Sequence, residues 1–195
     1  MTRFLLIRHA HHDYIGNALA GWLPVPLSEQ GRREAQDLAA WLAEAGITAI
    51  YSSPLKRTME TAAPLAGRLG LTVEVREDLG EIRYGDWTGV TETAVNADPL
   101  WHRFVNQRSI TRAPAGELMI ETQVRVVREL ELIRQAHPDG VIAIFSHGDV
   151  IRSAILYYLG LPIDFYGRLE IFPASVSVIE VDERGPRIVK LNETR

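Results

Sequence analysis

Phe4-Leu5-Leu6-Ile7-Arg8-His9 is an apolar run that ends on an arginine and a histidine and passes straight into loop. The same ending recurs far downstream, where Val141-Ile142-Ala143-Ile144-Phe145 runs into Ser146-His147-Gly148. Unbroken apolar runs of this length suit strands buried on both faces, as in a parallel sheet covered by helices. In open α/β sheets ligands bind beyond the carboxyl ends of the strands, so two histidines at two such ends point to one shared pocket. Either histidine alone is more commonly an ordinary loop or core residue. The pair, with its arginine partners, reads as chemistry.

Working outward from these two strands, strand and helix alternate. Ser28, Gln30 and Gly31 lead into a helix carried by Ala35, Leu38, Ala39, Trp41 and Leu42, which closes near Gly46. A short strand over residues 47–51 stops at Ser52-Ser53-Pro54. Pro54 suits the first turn of the helix that 55–69 supplies, with Gly70 as its stop. Residues 71–75 read as a strand, 117–136 as a long helix and 149–159 as another. The tail, 175–181 and 187–191, reads as two strands joined by a turn at Gly185-Pro186. The expected fold is α/β, a three-layer α/β/α sandwich with a mostly parallel central sheet and right-handed crossovers. At 195 residues the chain is expected to form one domain, 1–195. Residues 79–116, irregular apart from a short helix around 99–105, are too long for a plain connection. They are expected to form a lid or substrate-specificity insertion.

Composition narrows the function. The formal net charge is −4 and no basic run tracks a nucleic acid backbone, which argues against nucleic acid as a partner. No stretch approaches the roughly 20 apolar residues of a membrane span. The chain enters a strand at once, without a leader of secretory type, so a cytoplasmic location is expected. The absence of Cys excludes disulfides, thiolate metal sites and a cysteine nucleophile. Lys56 and Lys190 are the only lysines. Arginine reads phosphate bidentately, but a GC-rich genome produces the same bias, so only arginines at the strand ends carry weight.

Those strand ends gather Arg8 and His9, then Arg57 just after Ser52-Ser53-Pro54, then His147 with Gly148 opening a helix. Three side chains able to carry positive charge and a set of free backbone N–H groups would converge on one small volume, which suits a dianionic phosphoryl group. A histidine nitrogen can also act as nucleophile, and nearby arginines would keep it neutral for attack. A leaving alkoxide then needs a proton. Glu81, in Leu79-Gly80-Glu81-Ile82-Arg83-Tyr84-Gly85-Asp86-Trp87, is a candidate donor among aromatics that could desolvate it. From spacing alone Asp78 and Asp86 are nearly as good.

Arg8-His9, Ser52-Ser53-Pro54-Leu55-Lys56-Arg57-Thr58-Met59-Glu60-Thr61-Ala62, Glu81-Ile82-Arg83-Tyr84-Gly85-Asp86-Trp87-Thr88-Gly89, Pro114-Ala115-Gly116-Glu117 and Ser146-His147-Gly148 resemble, in order, the motifs of the histidine phosphatase superfamily, phosphoglycerate mutase-like branch. Gly21-Trp22 and Pro26-Leu27-Ser28-Glu29-Gln30-Gly31 add to the match, which covers nearly the whole chain. Each motif is weak alone and strong in company. The resemblance implies that His9 is the nucleophile that becomes phosphohistidine. Arg8, Arg57 and His147 would hold the phosphoryl oxygens, and Glu81 would protonate the leaving group and then activate water. It implies no metal and no cofactor, with a small phosphate monoester as the partner. Gly21, Tyr84 and Gly148 are the matching candidates for substrate binding.

The chain departs from the family at Ala10, His11 and His12, where Gly, an acidic or amide residue and a hydroxyl are usual. The family's phosphate-binding Asn lies six residues past the nucleophile, at Ile15 here. Asn17 is the candidate replacement, or else the counterpart of an Asn preceding Gly-Trp. Cofactor-dependent mutases of the family carry a longer insertion and a longer tail, so a phosphatase is favoured over mutase-type transfer. Trp22, Tyr84, Trp87, Trp101, His102 and Phe104 could line an aromatic pocket or anchor the long loop. Arg83, Arg103, Arg108 and Arg112 are candidates for a second anionic group. Two further readings compete. A His-x-His metal site at His9 and His11 would make a metal-dependent hydrolase, although the barrel that carries such sites needs about 250 residues. A non-catalytic phosphate-binding module is the other, and it would need neither His9 nor Glu81. The natural substrate stays open, as does a homodimer.

Overall fold

The computed structural model describes residues 1–195. Six strands, β1 (Thr2–Arg8), β2 (Ala49–Ser52), β3 (Val73–Val75), β4 (Val141–Ser146), β5 (Val176–Asp182) and β6 (Gly185–Glu193), form one sheet in the order β3-β2-β4-β1-β5-β6. The four strands from β3 to β1 are parallel, while β5 and β6 add an antiparallel edge. The α/β expectation therefore holds, with a mixed six-stranded sheet. No helix is long and apolar enough to cross a membrane.

Burial on both faces explains the unbroken apolar runs. Leu5, Ile7, Ala143 and Phe145 share one core with Leu38 and Leu42 of α1 (Glu29–Leu42) and Ala62 and Leu65 of α2 (Lys56–Leu69). Phe4, Leu6, Ile142 and Ile144, one residue out of phase, join a second core on the opposite face. Its other members include Leu130 and Ile133 of the long helix Met119–Ala136 and Ile151 and Ile155 of the helix Gly148–Tyr158. Each fully buried aliphatic contributes about 1.5–3 kcal/mol.

Between the second and third of these helices the segment 79–116 carries two short ones, α3 (Glu92–Asn96) and α4 (Pro99–Asn106), so the long helix is α5 and the last α6. Only α4 was expected; α3 starts at Thr91, whose hydroxyl accepts from the amide of Ala94 at 3.3 Å. The segment has its own apolar cluster, in which Ile82, Trp87, Val95 and Phe104 pack with Met119, Leu156, Ile163 and Tyr166.

Element boundaries shift for local reasons. β3 starts at Val73 rather than at 71, because the Leu71 amide still bonds back to the Ala66 carbonyl in closing α2. α5 starts at Met119 rather than at 117, because Glu117 is engaged elsewhere. Its amide donates to the Arg83 carbonyl, and its carboxylate accepts from the Arg83 amide, both at 2.8 Å. Two glycines permit that crossing. A Cβ on Gly85, which has φ +56°, would lie 1.9 Å from the Pro114 carbonyl oxygen, and one on Gly116 would lie 2.1 Å from that of Arg83. The segment bearing Glu81 is thus pinned to the start of α5 by backbone contact.

Candidate active site

β1 and β4 are neighbours with Arg8 opposite Ser146, and the His9 amide donates to the Ser146 carbonyl at 3.0 Å. The rings of His9 and His147 consequently sit 5.2 Å apart at the carboxyl end of the sheet. A cavity of about 180 Å³ opens there, lined by Arg8, His9, Arg57, Glu81, Tyr84 and Gly148, among others.

His9 is buried, and its Nδ1 lies 2.9 Å from the Ala10 carbonyl oxygen. A carbonyl can only accept, so Nδ1 carries the proton and Nε2 keeps its lone pair. Burial first, then Arg57 and Arg8, push its pKa well below the ordinary histidine value, so the ring is neutral at pH 7. The turn after it is fixed by Thr61, whose hydroxyl accepts from the Ala10 amide at 3.0 Å and donates to the Arg57 carbonyl at 2.6 Å. The methyl of Ala10 is buried with Leu27 and Ala35.

Arg57 is held by the Gly21 carbonyl at 2.8 Å, and Arg8 donates to the Ile171 carbonyl at 2.6 Å. The Nε of each is buried without a hydrogen-bond partner in the protein, as is His147 Nδ1. Buried donors of this kind are costly unless an acceptor meets them. Of the three side chains able to carry positive charge, His147 is neutral here. Burial, then Arg57, lowers its pKa well below the ordinary value. Its Nε2 lies 2.8 Å from the Ser53 hydroxyl, whose one other hydrogen bond is accepted from the Leu55 amide, so the ring nitrogen is the acceptor available to the hydroxyl proton. Nδ1 then carries the ring proton as a neutral donor. Gly148 opens α6 against the Arg8 guanidinium; a Cβ there would meet it at 3.4 Å.

Glu81 is buried in the cavity wall. Its Oε1 accepts from the Ile82 amide at 3.0 Å, and its carbonyl is fixed by Trp22 Nε1 at 2.7 Å and Arg125 at 3.0 Å. Burial, then the nearby Asp149 charge, raises its pKa to about 7. Asp78 and Asp86 lie off the cavity, and Asp86 is exposed. Tyr84 lines it and donates to Asp149 at 2.6 Å.

Asn17 is not brought to the cavity. It lies on the surface with its amide bonded to the Asp13 carbonyl, while Ile15 and Gly21 line the wall. Of the aromatic candidates only Tyr84 reaches the cavity. Trp22 anchors the Glu81 backbone, Trp87, Trp101 and Phe104 pack on one another, and His102 is exposed. Arg83 and Arg112 are paired with Glu77 and Glu121, Arg103 is exposed, and Arg108 is buried beside Asp149. The His11 ring turns away onto the Ser28 hydroxyl while its backbone amide donates to Glu34, so it makes no His-x-His pair with His9, and no three His, Asp or Glu side chains gather as metal ligands. Sequence reasoning missed Asp149 and Arg152, both on the cavity wall and both in the α6 motif region, and the brace Arg125. Spacing from Gly148 could have flagged the first two. Nothing local marks Arg125.

The model of the histidine phosphatase superfamily (branch 1) matches residues 4–194. Phosphoserine phosphatase 1 of Hydrogenobacter thermophilus is 32% identical over 198 residues, covering 100% of this chain and 93% of that protein. Glucosyl-3-phosphoglycerate phosphatase of Mycobacterium tuberculosis is 33% identical over 171 residues, covering 83% of this chain and 77% of its own. The solved structure of Bacillus stearothermophilus YhfR superposes with a TM-score of 0.94 at 27% identity, covering 100% of this chain and 98% of that one.

Proposed function

The chain belongs to the histidine phosphatase superfamily and is a phosphomonoesterase of its branch 1, and we propose that it hydrolyses small monoesters without a metal, through phosphohistidine on His9 Nε2. The observation that carries this is the His9 Nδ1 to Ala10 carbonyl bond, which leaves the nucleophilic lone pair on Nε2 of a ring that shares the cavity wall with Arg8 and Arg57 and lies 5.2 Å from the His147 ring. In the first step the lone pair attacks phosphorus and the ester P–O bond breaks. The departing oxygen takes the electron pair and the proton of Glu81. In the second, the Glu81 carboxylate takes a proton from water as its oxygen attacks phosphorus. The P–N bond breaks, the pair returns to Nε2, and phosphate leaves. Arg8, Arg57 and the neutral N–H of His147 stabilise the equatorial oxygens in both steps.

A cavity of about 180 Å³ lies below the usual range of drug-sized ligand sites, which supports a small leaving group. Residues 79–116, which carry Glu81 and Tyr84, are the part of a single domain that we take to set substrate choice, and a cytoplasmic location belongs to the same reading. The test is hydrolysis of an aryl phosphate by metal-stripped protein in excess chelator, beside His9→Ala. Chelator-resistant activity that vanishes with His9 is expected. Activity that survives the substitution, or returns only with added divalent metal, overturns the proposal.

A further inference from the structure

His12 has no part in the mechanism above, yet it is 4% exposed and lines the same cavity. Its ring lies over that of His9, with centroids 4.9 Å apart and planes tilted by 33°. One ring nitrogen is already committed: the Tyr14 amide donates to His12 Nδ1 at 3.2 Å. An acceptor nitrogen in a neutral imidazole leaves the proton on the other, so Nε2 is a donor, and no protein acceptor pairs with it. The ring does not charge near neutral pH, since burial first and then Arg57 and Arg8 lower its pKa to about 3. The two guanidiniums that act on it are those that gather the phosphoryl oxygens.

We propose that His12 is a further catalytic residue, which donates Nε2–H to an equatorial oxygen of the phosphoryl group during transfer to and from His9. A neutral donor at this place binds the developing charge without adding a third cation beside the nucleophile, where like charge would have to be offset. His12 follows His9 by three residues in the short irregular segment between β1 and the turn that begins at Asp13. Its place is therefore fixed by the same backbone that fixes the nucleophile, as preorganised donors require. The inference rests on the phosphoryl reading of the site.

A merely structural His12 would prop the His9 ring, so the test separates ring from donor. His12→Phe keeps an aromatic ring over His9 and removes the N–H. His12→Gln removes the ring but carries an amide N–H at the reach of Nε2. Each variant is assayed for aryl phosphate turnover and for binding of vanadate, with thermal unfolding as the folding readout. For His12→Phe we expect losses on the order of 10²-fold in kcat, the usual effect of deleting one such donor, and a parallel loss of vanadate affinity. His12→Gln should recover part of both. Vanadate affinity unchanged in folded His12→Phe, or His12→Gln no better than His12→Phe, overturns the proposal. His12-dependent vanadate binding by a wild-type protein that does not turn over aryl phosphate supports the donor role and overturns the phosphatase reading instead.

Discussion

His147 Nδ1 lies 3.9 Å from Glu81 Oε2, while Ser53 holds the opposite ring nitrogen at 2.8 Å. The same burial acts on both groups in opposite senses: it keeps the imidazole neutral and the carboxyl protonated up to about pH 7. In the proposed reaction both act as proton-bearing donors, one to bind an oxygen and the other to give its proton away. That division of roles by environment is how one site runs acid and nucleophilic chemistry near neutrality.

An acid that must be protonated loses its function as pH rises through its pKa. For an alkyl monoester, kcat/KM is expected to fall above about pH 7, where Glu81 of the free enzyme ionises. Asp149→Asn removes the second cause of the raised pKa and should move that limb to lower pH. A pH–rate profile for both proteins checks this.

Glu81→Gln should slow poor leaving groups far more than good ones, since an aryl oxide departs with little help from an acid. The ratio of kcat/KM for an alkyl and an aryl phosphate is the measurement. We expect it to drop on the order of 10²-fold or more in the variant and to stay unchanged in Asp86→Asn, whose side chain faces solvent.

Holding Glu81 in this wall costs stability above pH 5. The group titrates near 4.5 when unfolded and at about 7 when folded, so the native state binds the extra proton in between. The contribution of this one group is therefore fully present below about pH 4.5 and is lost as pH rises to about 7, by on the order of 3 kcal/mol in total. Glu81→Gln does not titrate. Its stability advantage over wild type in denaturant melts should therefore grow from pH 5 to pH 8.

Much of this was legible from the chain. The two apolar runs ending in Arg8-His9 and Ser146-His147 carried the fold and the shared pocket, because strand ends at a sheet rim are fixed by register. The neutral state of His147 was not legible, since it depends on burial and on Arg57, and its tautomer on Ser53, 94 positions away in sequence. Nor was the place of Asn17, because the register of a loop follows from packing that no spacing encodes. Tyr84 alone among the candidate aromatics reaches the cavity. Trp87, Trp101 and Phe104 satisfy a separate core, whose members look the same in sequence as pocket-lining residues.

Gly85 marks the contact that positions Glu81. Gly85→Ala places a Cβ 1.9 Å from the Pro114 carbonyl oxygen at φ +56°, whereas Gly89→Ala at φ +81° meets only Leu23 at an ordinary 3.5 Å. The first should cost about 1–3 kcal/mol beyond the second, which bears the backbone strain alone. It should also lower kcat for alkyl esters by displacing the acid. Thermal unfolding and turnover of the two variants decide it.

The most direct test of the account is to quench the enzyme during turnover of an aryl phosphate, whose departure needs little help from Glu81, and map the labile phosphoryl group by mass spectrometry under basic conditions. The account predicts acid-labile phosphohistidine on His9, accumulating when Glu81→Gln slows the water step and absent from His9→Ala. A phosphoryl group on another residue, or turnover with full activity in His9→Ala, would contradict it.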